Sequence, residues 1–119
     1  MAALFQMTYP GVPCIYYGDE AGLSGNADPE NRAAYPWGRE DTKLTEFFKE
    51  LAKEYYEHPA LISGDFEALF FDNDIVSFIR RNESERVLVL ANRTNEDFKA
   101  EFEGKEYDIP KLGTIYRTL

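Results

Sequence analysis

The sequence predicts an α+β chain in which a helix–strand–loop–helix portion precedes an antiparallel β-sandwich. Three observations carry this. Cys14-Ile15-Tyr16-Tyr17 is a short apolar run between turn residues, which reads as a buried strand. Leu44, Phe47, Phe48, Leu51, Ala52 and Tyr55 recur at helical spacing and form one apolar stripe. From Phe66 onward the period shortens, and turn residues separate six short runs, the pattern of a sandwich.

Residues 1–8 are mostly good helix formers and read as the tail of a helix. Tyr9-Pro10-Gly11 stops it, because proline and glycine both resist continuation. The run at 14–17 lacks polar alternation, which predicts burial on both faces, as in a parallel sheet covered by helices. Cys14 is the one cysteine, so no intramolecular disulfide forms. Its place in an apolar strand predicts a buried, unreactive thiol. Gly18 ends the run, and Asp19 and Glu20 follow. Residues 21–40, rich in glycine and proline, read as a loop. A loop this long inside a compact domain is uncommon and often functional.

The stripe places a helix over 41–57, with Asp41 as its N-cap. Pro59 disfavours helical backbone at His58 and ends it there, leaving His58 as a C-terminal cap. Strands follow at 66–71, 75–80, 86–91, 98–102, 106–109 and 114–118. Turns are expected at Asp72-Asn73-Asp74, 82–85, 92–95, Glu103-Gly104 and 110–113. Val87-Leu88-Val89-Leu90 is continuously apolar and belongs at the centre of a sheet. Phe98, Ala100 and Phe102 alternate with Lys99 and Glu101, giving that strand one wet face.

Composition bounds the function. The chain has 119 residues, 44% of them apolar, enough for a packed core. A net charge of −9 repels nucleic-acid phosphates and anionic lipid heads, so neither nucleic acid nor a membrane is an expected partner. Nine Phe, eight Tyr and one Trp suit either a core or a sugar-binding surface. Residues 1–8 have no basic start or long apolar core. The expected location is therefore cytoplasmic, or outside the cell if an upstream signal peptide has been removed. A glycine-rich phosphate loop, a Ser-x-x-Lys string, a nucleophile elbow and metal-ligand spacing are all missing from the sequence. No cofactor and no metal is predicted.

Tyr9-Pro10-Gly11-Val12-Pro13-Cys14-Ile15-Tyr16-Tyr17-Gly18-Asp19-Glu20 resembles the eighth barrel strand of the α-amylase family of glycoside hydrolases. Asn26-Ala27-Asp28-Pro29-Glu30-Asn31-Arg32 resembles the following loop in the neopullulanase and oligo-1,6-glucosidase-like branches. The resemblance covers the whole chain and the end of the family's usual length. It implies an α+β fragment: the end of a (β/α)8 TIM barrel in residues 1–60 (helix tail, strand 8, loop, helix 8) and a C-terminal antiparallel β-sandwich in 61–119. Such enzymes hydrolyse or transfer α-glucosidic bonds of starch-type glucans and malto-oligosaccharides in carbohydrate metabolism. Their catalytic carboxylates lie upstream of the part matched here. The resemblance therefore places no catalytic residue in these 119 residues and implies that they are inactive alone.

Asp28 and Arg32 resemble residues that contact sugar on the donor side of the cleft. The alternative is a mutual salt bridge that shapes the loop, and both can hold at once. Asn31 either positions Arg32 or turns the chain. Trp37, near a family Pro-x-x-Trp, either stacks on a pyranose ring or packs the loop down; Tyr35 and Tyr17 are further stacking candidates. Glycoside hydrolysis needs two carboxyl groups facing one bond, whereas neighbouring strand residues face opposite ways. Asp19 and Glu20, with Gly18, are accordingly structural, through hydrogen bonds to loop backbone or a salt bridge.

Residues 1–23 would expose Leu4, Phe5, Met7, Ile15, Tyr16 and Leu23. This segment must disorder, fold back on the 44–55 stripe, or pair with a second copy as a homodimer. Two other readings remain for the chain as a whole. It is a non-catalytic carbohydrate-binding or interaction β-module, or a domain that only shields the last barrel helix. The module needs exposed aromatics, so burial of Phe66, Phe70, Phe78, Phe98 and Phe102 would remove its sugar platform.

Overall fold

The computed structural model describes residues 1–71 and 74–119. The expected turn residues Asp72 and Asn73 lie outside them. Three helices, α1 (Ala2–Thr8), α2 (Thr42–Glu57) and α3 (Pro59–Ser63), precede six strands. The strands are β1 (Asp65–Phe71), β2 (Ile75–Arg81), β3 (Arg86–Asn92), β4 (Phe98–Phe102), β5 (Lys105–Ile109) and β6 (Thr114–Thr118). All six fall within one residue of the sequence reading. The short α3 was not foreseen; Pro59 stops α2 and then serves as the first residue of α3, where its missing N–H costs nothing.

β1, β2, β3 and β6 form an antiparallel sheet in the order β1-β2-β3-β6, and β4 pairs with β5 in a separate hairpin. Side chains alternate across the sheet. Phe78, Val87 and Val89 point to the helices, meeting Met7, Leu51, Tyr55, Ala60 and Leu61. Ile79, Leu88 and Leu90 point the other way and pack on Tyr107 and Ile109 of the hairpin. The central sheet is thus covered on both faces, which is why 87–90 is apolar throughout. Burying a side chain of this size stabilises by about 1.5–3 kcal/mol, so these two clusters hold the domain together.

The N-terminal portion departs from the sequence reading. Residues 12–16 form no strand: every described strand lies in the two antiparallel sheets and none pairs with 14–17, so this segment has no ladder to join. The thiol of Cys14 is consequently exposed rather than buried, and Tyr16 and Tyr17 are exposed as well. The sheets of the described residues are antiparallel, and no parallel strand is among them. Of the three fates expected for 1–23, the segment takes the second and folds back. Leu4, Phe5 and Ile15 pack against the helix-side core, and Met7 is part of it.

Arg80 fastens this arrangement. It is 2% exposed, and its guanidinium donates from Nη1 to the Thr8 carbonyl at 3.0 Å and from Nη2 to the Gly64 carbonyl at 3.0 Å. One buried cation thereby joins the last turn of α1, the end of α3 and β2. Its Nε has no partner among the described residues, and burial lowers the guanidinium pKa, with the nearby Tyr55 opposing.

Candidate functional site

The loop between residues 17 and 41 carries every site residue expected from sequence. It starts at Gly18, whose φ of 91° suits glycine. A side chain there would also meet Leu23 at 2.8 Å. Asp19–Ala21 then makes a single 3₁₀ turn, closed by Gly22 in the left-handed conformation.

The two carboxylates of this turn behave differently. Glu20 folds back and its Oε2 accepts from the Gly18 N–H at 2.9 Å. Partial desolvation, then the Glu20 and Glu40 charges, then a hydrogen bond to Glu20 push the Tyr35 phenol up. The Glu20 carbonyl accepts from the Thr45 hydroxyl at 2.9 Å, tying the turn to α2. Glu20 therefore takes part in the hydrogen bonding expected of a structural residue. Asp19 does not: its side chain makes no hydrogen bond or ion pair among the described residues, and it lines a cleft of about 220 Å³.

Further along, Asp28 and Arg32 pair with each other, Oδ1 to Nε at 3.2 Å. Both are exposed, and such pairs contribute little stability. The backbone here is held by Glu30 N–H to Ala27 carbonyl at 2.9 Å and by Asn26 Nδ2 to Glu30 Oε2 at 2.8 Å. The tip is anchored from below, where the Tyr17 hydroxyl donates to the Ala33 carbonyl at 3.1 Å. Trp37 is 80% exposed, with its ring 4.5 Å from that of Tyr35. The indole thus touches the loop's own Tyr35 and leaves most of its surface open.

The structure also brings together residues that sequence reasoning did not join. Gly25 lies so close to residues 30 and 31 that a β-carbon would stand 2.6 Å from the Glu30 carbonyl oxygen and 2.8 Å from Asn31 Cα. That approach closes a cleft lined by Tyr16, Tyr17, Asp19, Ser24 and Asn31. Gly25 was the available signal, since a glycine in a loop can mark close backbone approach. Among the described residues no cluster of three His, Cys, Asp or Glu has metal-binding geometry, and no helix is long and apolar enough to cross a membrane.

On the β-domain the five phenylalanines split. Phe78 is fully buried and Phe102 half-buried, whereas Phe66, Phe98 and Phe70 are 36%, 42% and 52% exposed. Phe66 still packs edge-on against Tyr9 and lies 5.1 Å from the Phe78 ring.

The described residues thus form a helix–sheet–hairpin domain that carries a long loop with an exposed charged pair and an exposed indole. No family model matches the chain. Over 81 residues it is 53% identical to an amylopullulanase of Thermoanaerobacter thermohydrosulfuricus, covering 68% of this chain and 6% of the relative. It is 33% identical to a cyclomaltodextrinase of Thermoanaerobacter pseudethanolicus, covering 99% of this chain and 21% of the relative. The structure superposes on the ligand-free cyclic α-maltosyl-(1→6)-maltose hydrolase of Arthrobacter globiformis with a TM-score of 0.87 at 27% identity, covering 99% of this chain and 28% of that one. The chain belongs to the α-amylase family of glycoside hydrolases and matches a C-terminal part of such an enzyme. It spans about a fifth or less of the length of these two curated relatives.

Proposed function

We propose that this chain is the part of an α-glucan-active enzyme that completes its barrel and lines the donor-side subsites. In this reading residues 1–60 belong to the catalytic barrel and 61–119 are its C-terminal β-domain. The reaction is hydrolysis or transfer at α-glucosidic bonds of starch-type glucans or malto-oligosaccharides. Its two carboxylates come from the rest of the enzyme, because Glu20 is engaged within its own turn. The face carrying Val12, Tyr16 and Tyr17 would pack against the rest of the barrel, or against a second copy.

The observation that supports this most is the exposed charged pair Asp28–Arg32 on the same loop as the exposed Trp37. An Arg fork and a carboxylate can exchange their mutual contact for vicinal sugar hydroxyls, and an indole face stacks on a pyranose ring. The test uses the enzyme carrying this segment. Asp28→Ala and Arg32→Ala should each lower kcat/KM about ten- to hundredfold on a long malto-oligosaccharide and much less on a nitrophenyl α-glucoside. Equal losses on both substrates would make the pair a loop brace. The 119 residues alone should not turn over maltotriose or pullulan; turnover abolished by Asp19→Asn or Glu20→Gln would overturn the reading.

A second reading rests on Phe70 and Phe98. Both are exposed beside a groove of about 290 Å³ between β1 and β4 that also holds Lys99 and Glu101. This leaves the β-domain an aromatic surface for carbohydrate, as a non-catalytic module requires.

A further inference from the structure

We propose that the open edge of β4 docks one extended strand of a separate polypeptide, apolar at alternate positions and carrying a basic residue opposite Glu101. The inference goes beyond the α-glucan reading and does not depend on it. Helices α1 and α2 cover the other face of the central sheet, so this edge points away from the elements assigned to the barrel.

The backbone supplies the first argument. β4 pairs with β5 alone, so its other edge has no neighbour. The turn residues Glu103 and Gly104 have φ of 50° and 74°, as in a two-residue hairpin closed by the pair Phe102 and Lys105. Hydrogen-bonded pairs recur at every second residue, so Phe102, Ala100 and Phe98 bond inward to β5. Lys99 and Glu101 therefore aim their N–H and C=O groups out of the hairpin. Neither bonds to backbone outside it among the described residues.

The space beside that edge has room for a strand. All five residues of β4 line a groove of about 290 Å³, and Leu69 and Phe70 of β1 form its far side. Ala68 pairs with Phe78 and Phe70 with Ser77, so Leu69 is the extra residue of a bulge. The bulge turns two successive side chains of β1 toward the groove. Phe70 and Phe98 stay half exposed, and a strand laid along β4 would cover both rings. Such a strand must lie over β1. A second copy docking through its own β4 would bring its own β1 into the same space, whereas one extended segment fits. Carbohydrate fits less well: the groove has no indole or phenol ring, and its one hydroxyl, that of Ser77, contacts the Phe70 carbonyl at 3.4 Å.

Charge selects the sequence of the strand. On the outer face of the hairpin Glu101 stands directly opposite Glu106, and like charges so placed destabilise a sheet. The Lys99 ammonium lies 3.7 Å from Glu106 and 3.5 Å from Asp108, while Glu101 makes no ion pair or hydrogen bond among the described residues. A cation opposite Glu101 on an incoming antiparallel strand offsets this repulsion, and a carboxylate there adds to it. A carboxylate opposite Lys99 and apolar residues facing the groove complete the pattern.

The experiment titrates the isotopically labelled full chain with the peptide Thr-Val-Lys-Val-Glu-Val-Thr, which in antiparallel register sets Lys opposite Glu101 and Glu opposite Lys99. Amide shifts should saturate and centre on residues 69, 70 and 98–102, with slower exchange of the Lys99 and Glu101 amides. Methylating the backbone nitrogens of the peptide's Lys and Glu should abolish binding, because those amides face β4; methylating the central Val should not. Replacing the peptide's Lys with Glu should weaken binding about tenfold, and Glu101→Lys in the chain should reverse that preference. This variant relieves the repulsion at Glu106, so the hairpin stays folded. Equal binding of the two peptides, tolerance of the Lys and Glu methylation, or a preference unchanged by Glu101→Lys would overturn the proposal. So would the lack of any saturable shift, which would make Lys99 and Glu101 guards of a bare edge. Dimerisation of the free chain through β4, read by sedimentation, or shifts at Phe70 and Phe98 with maltotetraose and not with peptide, would overturn it in favour of a second copy or of carbohydrate.

Discussion

Glu85 offers a direct probe of how the helices are fastened to the sheet. Its Oε1 accepts from the Ala60 N–H at 2.8 Å, and its Oε2 lies 2.9 Å from His58 Nδ1. Ala60 is 0% exposed, so its N–H has no route to water once the carboxylate is gone. The other imidazole nitrogen, Nε2, sits 3.5 Å from Glu54, and burial together with Glu54 pushes the neighbouring Tyr116 phenol up. Removing Glu85 therefore strands a buried donor and unbalances the ring. A hydrogen bond to a charged group is worth about 1.5–3 kcal/mol, and Glu85→Ala should cost about 2 kcal/mol of it.

Unfolding entropy of about 2.1 cal/mol/K per residue amounts to about 250 cal/mol/K here, so Tm should fall by about 8 °C. Burial alone would raise the Glu85 pKa, but the Ala60 N–H and His58 outweigh it and the net shift is downward. A depressed folded pKa gives stability that is present above the ordinary carboxylate range, about 4.3 for Glu, and is lost as pH falls through the lower folded value. The Tm gap between the wild type and Glu85→Gln should accordingly hold near neutrality and close below about pH 4. Thermal denaturation followed by circular dichroism across that range reads both quantities. A gap that stays constant into strong acid, or an alanine variant within about 2 °C of wild type, would refute the pairing as the fastening.

Two further substitutions test other joints. Arg80→Met removes the donors to Thr8 and Gly64; amide exchange over residues 2–8 should accelerate about ten- to hundredfold while β3 stays protected, and unchanged exchange would mean that apolar packing alone holds α1. Asn92 is fully buried, accepts from Thr94 and donates to the Glu96, Ile109 and Pro110 carbonyls. Asn92→Ala should destabilise by about 2–3 kcal/mol in urea unfolding with no change in m-value, and a loss near zero would mean water satisfies those carbonyls.

Legibility followed the range of the interactions. Asp41 as N-cap, donating nothing and accepting from Lys43 and Leu44 N–H at 3.0 and 3.1 Å, is settled within four residues, and the sequence shows it. The strands from 65 onward are equally readable because their partners lie in the chain: β2 and β3 pair across a short turn, and the alternation of side chains matches the two cores. Cys14-Ile15-Tyr16-Tyr17 has the same apolar character as 87–90 but a different outcome. Apolar composition reports a preference for burial, whereas a strand also requires a neighbour with unpaired N–H and C=O groups. Arg80 was hidden for a related reason. Nothing in Phe78-Ile79-Arg80-Arg81 distinguishes the arginine that is buried from the one that pairs with Glu67 at the surface, because its two carbonyl acceptors stand 72 and 16 residues away.

The candidate site shows the same limit at the scale of single side chains. Asp19 and Glu20 are adjacent, identical in charge and equally placed after Gly18, so sequence alone treats them as a unit. The 3₁₀ turn separates them: Glu20, one methylene longer, reaches back to the Gly18 N–H, while the side chain of Asp19 is left at the cleft wall. What distinguishes a brace from a binding group here is therefore whether its oxygens are already occupied, and that depends on a turn closed by two left-handed glycines. Asp28 and Arg32 meet only through Oδ1 and Nε, which leaves the second carboxylate oxygen and both terminal guanidinium nitrogens outside the pair; an ion pair seen in the structure therefore does not by itself decide between a brace and a binding group.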